Sequence, residues 1–409
     1  MNNIEDKTQK KCTGCGACIS ICPVSAIGYK INEYGFYKAF VNEDKCIRCG
    51  KCKKVCVKYN ENNKVKLKDG ILYSAMSKDE NVVKKCTSGG IAYEIARYGI
   101  NNGYYILGVI YNYEKEIAES ILTNKIEDLE KIKGSKYLQS DMGKATTLFL
   151  NKCKEDINNK FIIFGTPCQL EGISRLVETQ KIKNEIIKID LFCHGVPSYR
   201  VWEQYLNQIK LKNDIDKIKE CNFRSKEFGW HQYCIEINTN DNKLKIISGK
   251  SDFYKTFFDN MFLNDSCYDC NVRQNNSYAD IRLGDFWGKK YYSDLKGVSA
   301  VLVLTSKGKQ IIEKINDNIN LFQENNVEEC LENQSVKKYS NYDFNNKFKK
   351  MLLSNDSISK TIKCYRKELS MKKKIKCYLR DNIDKISPIL KYKIKLKYYK
   401  FKEGIKNGK

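Results

Sequence analysis

The chain has 409 residues, of which 42% are hydrophobic and 11% aromatic, so it can fill several cores and is not a disordered protein. Its 19 cysteines are too few for a disulfide scaffold, and it has neither a signal-peptide pattern nor an apolar run long enough to cross a membrane. We therefore expect a cytoplasmic protein in a reducing compartment.

The net charge of +24 is concentrated near the C-terminus, where residues 345–409 hold 21 Lys and Arg against 5 Asp and Glu. Because Lys outnumbers Arg, the residue that reads bases through paired hydrogen bonds, we expect no nucleic-acid partner. The excess charge is typical of a solvated Lys-rich helix. The alternative is a basic tail that recruits the protein to an anionic membrane or to a glycan-assembly complex.

Two cysteine runs open the chain with the same spacing, C-x2-C-x2-C-x3-C, and Pro23 follows the first. The first run holds Cys12, Cys15, Cys18 and Cys22, and the second holds Cys46, Cys49, Cys52 and Cys56. This is the spacing of a bacterial two-cluster ferredoxin, in which the fourth cysteine of each run binds the other cluster. It predicts one 4Fe-4S cluster on Cys12, Cys15, Cys18 and Cys56, and another on Cys46, Cys49, Cys52 and Cys22. Zinc and disulfides are the alternatives, but zinc sites usually pair two CxxC motifs and disulfides do not suit a reducing compartment.

The next elements alternate between strands and helices. Short paired strands around Gly35 join the two cysteine runs, and residues 60–70 are predicted to be a polar linker. A helix then starts at Thr87 or Ser88 and is followed by the strand "GYYILGVIYN". Two strand-loop-helix units follow, "NKFIIFGTPCQLEGISRLVE" and "NEIIKIDLFCHGVPSYRVWEQYLNQIK", the second with Ser198 as the helix N-cap. This order predicts a parallel or mixed sheet with covering helices.

The last third of the chain has a different pattern. It predicts an antiparallel hairpin around residues 240–242, and then one aromatic-rich helix that carries Cys267 and Cys270. A buried strand and a helix capped near Ser306 come next. From about residue 345, Lys-rich amphipathic helices are expected.

Four further cysteines stand in distinctive settings: Cys168, Cys193, Cys267 and Cys270. The first two each follow a strand, so parallel neighbours would bring them to the same edge of the sheet. The spacing fits two interpretations equally well. The four cysteines bind a third metal centre, or each of them is a small buried hydrophobic residue. A rival interpretation makes Cys168 a nucleophile with His194 or His231 as its base, although no third orienting group is placed by the sequence.

Two short stretches offer hydrogen-bond donors to an anion. Ser88, Gly89 and Gly90 lie at a predicted helix N-terminus, and Ser135, Lys136 and Tyr137 supply hydroxyl and ammonium groups suited to a phosphate or ribityl chain. The alternatives are that the first stretch simply caps a helix and that the second is a surface turn.

In combination, these motifs are specific. "CTSGG", "GSKYLQS", "GTPCQ", "DLFCHGVPS", "CYDC" and "ADIRLGDFWG", in this order behind a two-cluster ferredoxin unit, resemble the family of coenzyme F-420 hydrogenase and dehydrogenase beta subunits. The resemblance covers residues 10–340 and implies an α/β flavoprotein that binds FAD. It implies that Cys168, Cys193, Cys267 and Cys270 hold a third 4Fe-4S cluster, and that Ser88, Gly89, Gly90, Ser135, Lys136 and Tyr137 contact FAD. Asp285 lies in a family motif whose role the sequence does not define.

The expected fold class is α+β / α/β, divided into four regions. Residues 1–60 form a ferredoxin fold with two 4Fe-4S clusters, 61–150 and 151–344 form a mixed-sheet flavin-binding core, and 345–409 form a basic helical tail. In this scheme 61–150 supplies flavin contacts, and 151–344 supplies the third cluster and the flavin or substrate site. Electrons pass from ferredoxin or another redox partner through the clusters to FAD and a small acceptor, of the coenzyme F-420 type, from a polysaccharide pathway, or another small substrate. The alternative is a non-catalytic electron-transfer subunit.

Overall fold

A computed structural model describes residues 2–5, 11–59, 65–240, 242–273, 275–334, 347–354, 356–383 and 397. The strands are β1 (Ile27–Ile31), β2 (Tyr37–Val41), β3 (Val65–Lys66), β4 (Ile71–Ser77), β5 (Tyr104–Asn112), β6 (Ile117–Thr123), β7 (Lys160–Phe164), β8 (Ile186–Leu191), β9 (Glu220–Asn222), β10 (Cys234–Asn238), β11 (Lys243–Ile247), β12 (Asn276–Ser277), β13 (Ile281–Asp285), β14 (Ser299–Val303) and β15 (Ile319–Glu324). The α-helices are α1 (Ala17–Ile21), α2 (Lys51–Val55), α3 (Glu80–Lys85), α4 (Ile91–Asn101), α5 (Leu129–Ile132), α6 (Gly143–Glu155), α7 (Pro167–Thr179), α8 (Tyr199–Asn213), α9 (Asp252–Phe258), α10 (Asp265–Tyr268), α11 (Ser306–Lys314), α12 (Val327–Asn333), α13 (Ile358–Lys367) and α14 (Met371–Ile383).

The N-terminal region is ferredoxin-like and shows the expected duplication. β1 and β2 pair antiparallel around Gly35, which has a φ of 80°. α1 and α2 each begin after a glycine in the left-handed conformation, Gly16 at φ 80° and Gly50 at φ 72°. Each of these glycines occupies the same place in its cysteine run, so both runs turn into a helix in the same way.

An eight-stranded mixed sheet forms the centre of the molecule, in the order β15-β4-β14-β13-β8-β7-β5-β6. β5, β7, β8 and β13 are parallel neighbours, and the flanking pairs are antiparallel. The two predicted strand-loop-helix units are confirmed as β7–α7 and β8–α8, and Ser198 caps α8 by accepting a hydrogen bond from the Arg200 amide. Phe161, Ile162 and Ile163 of β7 are fully buried, as expected for a strand covered on both faces.

Three sequence predictions need correction. α4 begins at Ile91 rather than at Thr87 or Ser88, because Gly90 takes a left-handed φ of 88° that helical residues do not adopt. The predicted aromatic helix is two helices, α9 and α10, separated by Asn260 at φ 56°. In the predicted linker, residues 60–64 lie outside the described residues, but β3 pairs with β12 and Leu67 is fully buried, so its second half belongs to the fold.

A smaller antiparallel sheet, β11-β10-β9, contains the predicted hairpin and packs with an aromatic-rich core. Helices after residue 345 are confirmed for α13 and α14, whereas nearly all of residues 384–409 lies outside the described residues. Ile358, Ile362 and Tyr365 of α13 are buried in the same core as α8 and α9. The described part of the basic segment is therefore packed on the domain. In the part of the chain that the structure describes, no helix is long and apolar enough to cross a membrane.

Candidate functional site

The first cavity is lined by four thiols from both cysteine runs: Cys12, Cys15, Cys18 and Cys56. Cys12 and Cys15 lie in the loop that enters α1, Cys18 lies in α1 itself, and Cys56 follows the last residue of α2. The Gly14 amide donates to the Cys12 sulfur at 3.4 Å, an N–H···S contact of the kind that supports cluster thiolates. The set therefore fits a 4Fe-4S cluster with one ligand from the other run.

The second cavity has the reciprocal composition, with Cys22 from the first run and Cys46, Cys49 and Cys52 from the second. The Ala26 amide donates to the Cys22 sulfur at 3.2 Å, and the Asn3 amide lies 3.8 Å from the Cys46 sulfur. Among the described residues, no group of three or more potential ligands is arranged to hold a single metal ion. Four thiols spread around a cavity fit a cluster better than zinc, which needs its ligands within about 2.3 Å of one point.

Burial controls the ionisation of the first thiol set. Burial raises the pKa of Cys15 to about 12 and that of Cys56 to about 11, and it raises the pKa of Cys18 well above the usual range. Such thiols stay protonated at neutral pH unless a cation stabilises the thiolate. Iron would supply that charge, so cluster binding and burial of these cysteines are coupled.

The third cavity is lined by Cys168, Cys193, Cys267 and Cys270. Cys168 is the second residue of α7, after β7, and Cys193 follows β8. Because β7 and β8 are parallel neighbours, their following loops meet at the same sheet edge. Cys267 lies in α10 and Cys270 two residues beyond that helix, which places the CxxC pair against the same cavity. Burial raises the pKa of Cys193 to about 12.

The first and third cavities share a wall. Thr13, Val57 and Lys58 line both of them. α7 also packs directly on the first thiol set, because a Cβ at Gly172 would lie 3.0 Å from the Cys15 sulfur. The first and third thiol sets are therefore neighbours across these shared side chains.

A buried lysine, which the sequence did not single out, lies between these two sets. Lys38 of β2 is 6% exposed, and its ammonium donates to the Cys12 carbonyl at 3.1 Å and to Asn264 Oδ1 at 2.9 Å. Asn264 caps α10, the helix that carries Cys267. Burial lowers the pKa of Lys38, and the thiol of Cys12 opposes that shift. Only the fold brings this cation next to both sets.

The geometry argues against the rival interpretation, in which Cys168 is a nucleophile and a histidine is its base. Burial raises the pKa of Cys168 well above the usual range, and its sulfur lies 3.3 Å from the Thr166 hydroxyl. His194 Nε2 is 2.7 Å from Asn260 Oδ1, and burial lowers the pKa of this histidine to about 4. His231 Nε2 lies 3.3 Å from the Tyr291 carbonyl. A thiol with a raised pKa is a weak nucleophile at neutral pH.

The two predicted flavin stretches lie side by side. The Ser135 amide donates to Thr87 Oγ1 at 2.9 Å, which joins the "GSKY" stretch to the "CTSGG" loop. Gly89 is required there, because a Cβ would lie 2.2 Å from the Ala75 carbonyl. The geometry thus gathers both stretches at one place.

Several donors in these stretches are already engaged within the protein. The Ser88 hydroxyl donates to the Val298 carbonyl at 2.8 Å, and the Gly89 amide donates to Ser299 Oγ at 2.9 Å. The Lys136 ammonium donates to three carbonyls at the end of α5, and burial lowers its pKa to about 7. Lys136 therefore caps a helix. The Ser88 hydroxyl, the Gly89 amide and the Lys136 ammonium are therefore poorly placed to bind a flavin phosphate. The other predicted contacts, Gly90, Ser135 and Tyr137, lie beside them in the same two stretches.

A basic and aromatic cluster beside these stretches was missed by the sequence reasoning. Lys226 donates to the Ser88 carbonyl at 2.6 Å, and burial lowers its pKa to about 8. Arg224 is 2% exposed, lies 3.6 Å from the Tyr233 ring centre, and contacts the Tyr137 hydroxyl at 3.4 Å. The only sequence signal for this cluster is the stretch "FRSKEFGW", which has two cations among aromatic residues.

The "ADIRLGDFWG" motif acts through this cluster. Asp285 pairs with Arg224 at 3.2 Å and accepts from the Trp230 indole at 2.7 Å. Trp230 stacks on Trp287 with ring centres 5.1 Å apart. Asp285 therefore holds Arg224 and Trp230 in place.

Two regions of the chain match known family models. Residues 158–329 match the family defined by the C terminus of the coenzyme F420 hydrogenase/dehydrogenase beta subunit, and residues 11–59 match the "4Fe-4S dicluster domain". An uncharacterised protein of Methanocaldococcus jannaschii is 23% identical over 328 residues, covering 69% of this chain and 86% of that protein. One of the subunits of F(420)H(2) dehydrogenase from Methanosarcina mazei is 22% identical over 328 residues, covering 76% of this chain and 84% of that protein.

Two further likenesses are more limited. An 87-residue stretch is 33% identical to an iron-sulfur subunit of the CoB–CoM heterodisulfide reductase of M. jannaschii, covering 17% of this chain and 13% of that protein. A chain of the F420-reducing [NiFe] hydrogenase complex of Methanosarcina barkeri aligns with a TM-score of 0.43 and 18% identity, over 74% of this chain and 93% of that one.

Proposed function

We propose that the chain is an iron-sulfur flavoenzyme, because residues 158–329 match the family defined by the C terminus of the coenzyme F420 hydrogenase/dehydrogenase beta subunit and residues 11–59 match the 4Fe-4S dicluster domain. It takes single electrons from ferredoxin or another redox protein and passes them through three 4Fe-4S clusters toward FAD and a small acceptor. The observation that carries this proposal is the wall of Thr13, Val57 and Lys58, which the first and third thiol cavities share.

The entry end of the route is the second thiol set. Cys49 is exposed, and Ile47 beside it is 61% exposed. Arg48 and Lys51 are also exposed at this end. A small acidic redox protein fits such a surface, because its charge complements the cations and the apolar patch gives close approach.

Beyond the third set, packed aromatic rings lead to the candidate flavin site. His194, the neighbour of Cys193, packs on Phe257 with ring centres 4.5 Å apart, and Phe257 packs on Tyr137 at 5.5 Å. Tyr137 contacts Arg224, which lies beside Lys226 and the "CTSGG" loop. A flavin bound there would convert single electrons into a two-electron transfer. The protein's part is to hold the third thiol set and that site at the two ends of this row of packed rings.

The matching relatives also support the alternative of a subunit without its own catalysis, since one of them is named as a subunit of F(420)H(2) dehydrogenase. The two candidates differ in whether flavin is bound. Flavin in the anaerobically purified chain, together with reduction of a two-electron acceptor, favours the enzyme. Iron without flavin favours the electron-transfer subunit.

Iron content tests the third cluster. Three clusters predict about 12 Fe per chain and two predict about 8. Cys168→Ser should lose about 4 Fe, whereas the control Cys153→Ser, which removes a buried thiol outside all three sets, should keep the full complement. Full iron in Cys168→Ser would refute the third cluster while leaving the two N-terminal clusters in place.

A further inference from the structure

A stripe of large apolar side chains on α14 faces solvent. Met371, Ile375, Tyr378 and Leu379 are 71%, 52%, 68% and 53% exposed. Their spacing puts them within about 100° of arc on one side of the helix. Four adjacent exposed apolar residues on one short helix are unusual for a free surface and indicate an interaction site.

The orientation of this stripe is set by the other side of α14. Asp259, just after α9, has a side chain only 3% exposed, and it pairs with Arg366 of α13 at 2.9 Å and with Arg380 of α14 at 2.7 Å. Arg366 also pairs with Asp381 at 2.6 Å. A Cβ at Gly249 would lie 2.2 Å from the Asp381 carbonyl, so α14 sits directly on the domain. The helix is thus held with its apolar stripe outward.

Basic side chains surround the stripe. Lys363, Lys367 and Lys374 line an open cleft between α9, α13 and α14, where Lys255 and Arg366 are already paired with Asp252 and Asp381. On α14 itself, the exposed Lys372 and Lys376 follow the stripe on its other edge. Lysine ammonium groups are compact donors that suit phosphate oxygens. The surface therefore combines an apolar stripe with cations on both sides.

We propose that this surface docks the protein on a bilayer that contains anionic phospholipid. The stripe enters the boundary between headgroups and acyl chains, and the cleft lysines receive lipid phosphates. At 13 residues, α14 is too short to span the bilayer and would lie in its plane. This inference goes beyond the proposed redox function, since no cluster or flavin takes part in the docking.

The test is co-sedimentation of the full, anaerobically purified chain with vesicles. We expect binding to phosphatidylcholine vesicles that contain phosphatidylglycerol, weakened by salt, and little binding to phosphatidylcholine alone. The double variant Ile375→Glu/Leu379→Glu should weaken binding by roughly tenfold or more. Lys363→Gln, Lys367→Gln and Lys374→Gln should each weaken it by about fivefold at low salt.

The control is Ile157→Glu, an exposed isoleucine before β7, which should leave vesicle binding unchanged. All these side chains are exposed or at the rim of a cleft, so the iron content of each variant should match the parent and report correct folding. Unchanged binding in the Ile375→Glu/Leu379→Glu variant, or equal binding to both vesicle types, would overturn the proposal. A chain ending at residue 383 should still bind. Complete loss of binding in that chain would assign the contact to residues 384–409 and would also overturn it.

Discussion

The N-terminal region and the α/β core build their thiol sets in opposite ways. In each of the first two sets, three ligands come from one short run and the fourth from the other run, within residues 12–56. The third set draws Cys168 from the start of α7, Cys193 from the loop after β8, and Cys267 and Cys270 from α10 and the residues just after it. Local ligands depend on loop conformation, whereas distant ligands depend on the stability of the whole core. Changes in the core should therefore affect the third set while sparing the first two.

The largest effect is expected from breaking the ion pair between Asp190 of β8 and Arg282 of β13. Asp190 and Arg282 are fully buried, and Arg282 also donates to the Arg273 and Val272 carbonyls in the loop after Cys270. Arg282→Met leaves the Asp190 carboxylate buried with its guanidinium partner removed, so we expect a loss of about 3–5 kcal/mol in the free energy of unfolding. Iron analysis should show loss of about 4 Fe, with the two N-terminal clusters kept.

The control is Lys309→Met, which breaks a pair with Glu313 on α11 in which both side chains are exposed, at 60% and 61%. It should cost about 1 kcal/mol or less and no iron, as measured by urea denaturation and iron analysis. If Arg282→Met loses iron from all three sets in parallel, the two regions do not differ in how they hold their clusters.

The second prediction concerns Lys38, where the two regions meet. Replacing a cation near a cluster makes addition of an electron less favourable, so Lys38→Met should lower the reduction potentials of the first and third clusters on the order of 50 mV. Redox titration followed by electron paramagnetic resonance measures this. Lys30→Met is the control, because Lys30 lies opposite Lys38 on β1 but is exposed. A shift in only one cluster would place Lys38 in one region rather than between them.

The third prediction is a pH dependence at the candidate flavin site. Burial lowers the pKa of Lys226 to about 8 in the fold, below the usual value near 10.4 in the unfolded chain. The unfolded state therefore binds more protons between pH 8 and about 10.4, and the contribution of Lys226 to stability rises with pH across that window. The difference in unfolding free energy between parent and Lys226→Met should grow by about 2 kcal/mol from pH 7.5 to 10.5. A constant difference would mean that Lys226 is solvated in the fold.

Several elements were predictable because their signals are local. The duplicated cysteine spacing, the hairpin at Gly35, the two strand-loop-helix units and the Ser198 cap depend on residues close in sequence, and the fold contains each of them. The failures have the opposite cause. Gly90 is left-handed because Gly89 must approach Ala75 of β4, and Lys136 turns to the carbonyls of α5. Arg224 acquires its role only by meeting Asp285, 61 residues away.

The sequence by itself determined which cysteines belong to the two N-terminal sets and the alternation of strands and helices, because spacing and periodicity act over a few residues. Only the tertiary structure decided that the third thiol set shares a wall with the first, that Lys38 lies between them, and that α14 holds its apolar stripe outward. Those facts arise from packing between segments far apart in the chain. No local pattern contains the distances that such packing creates.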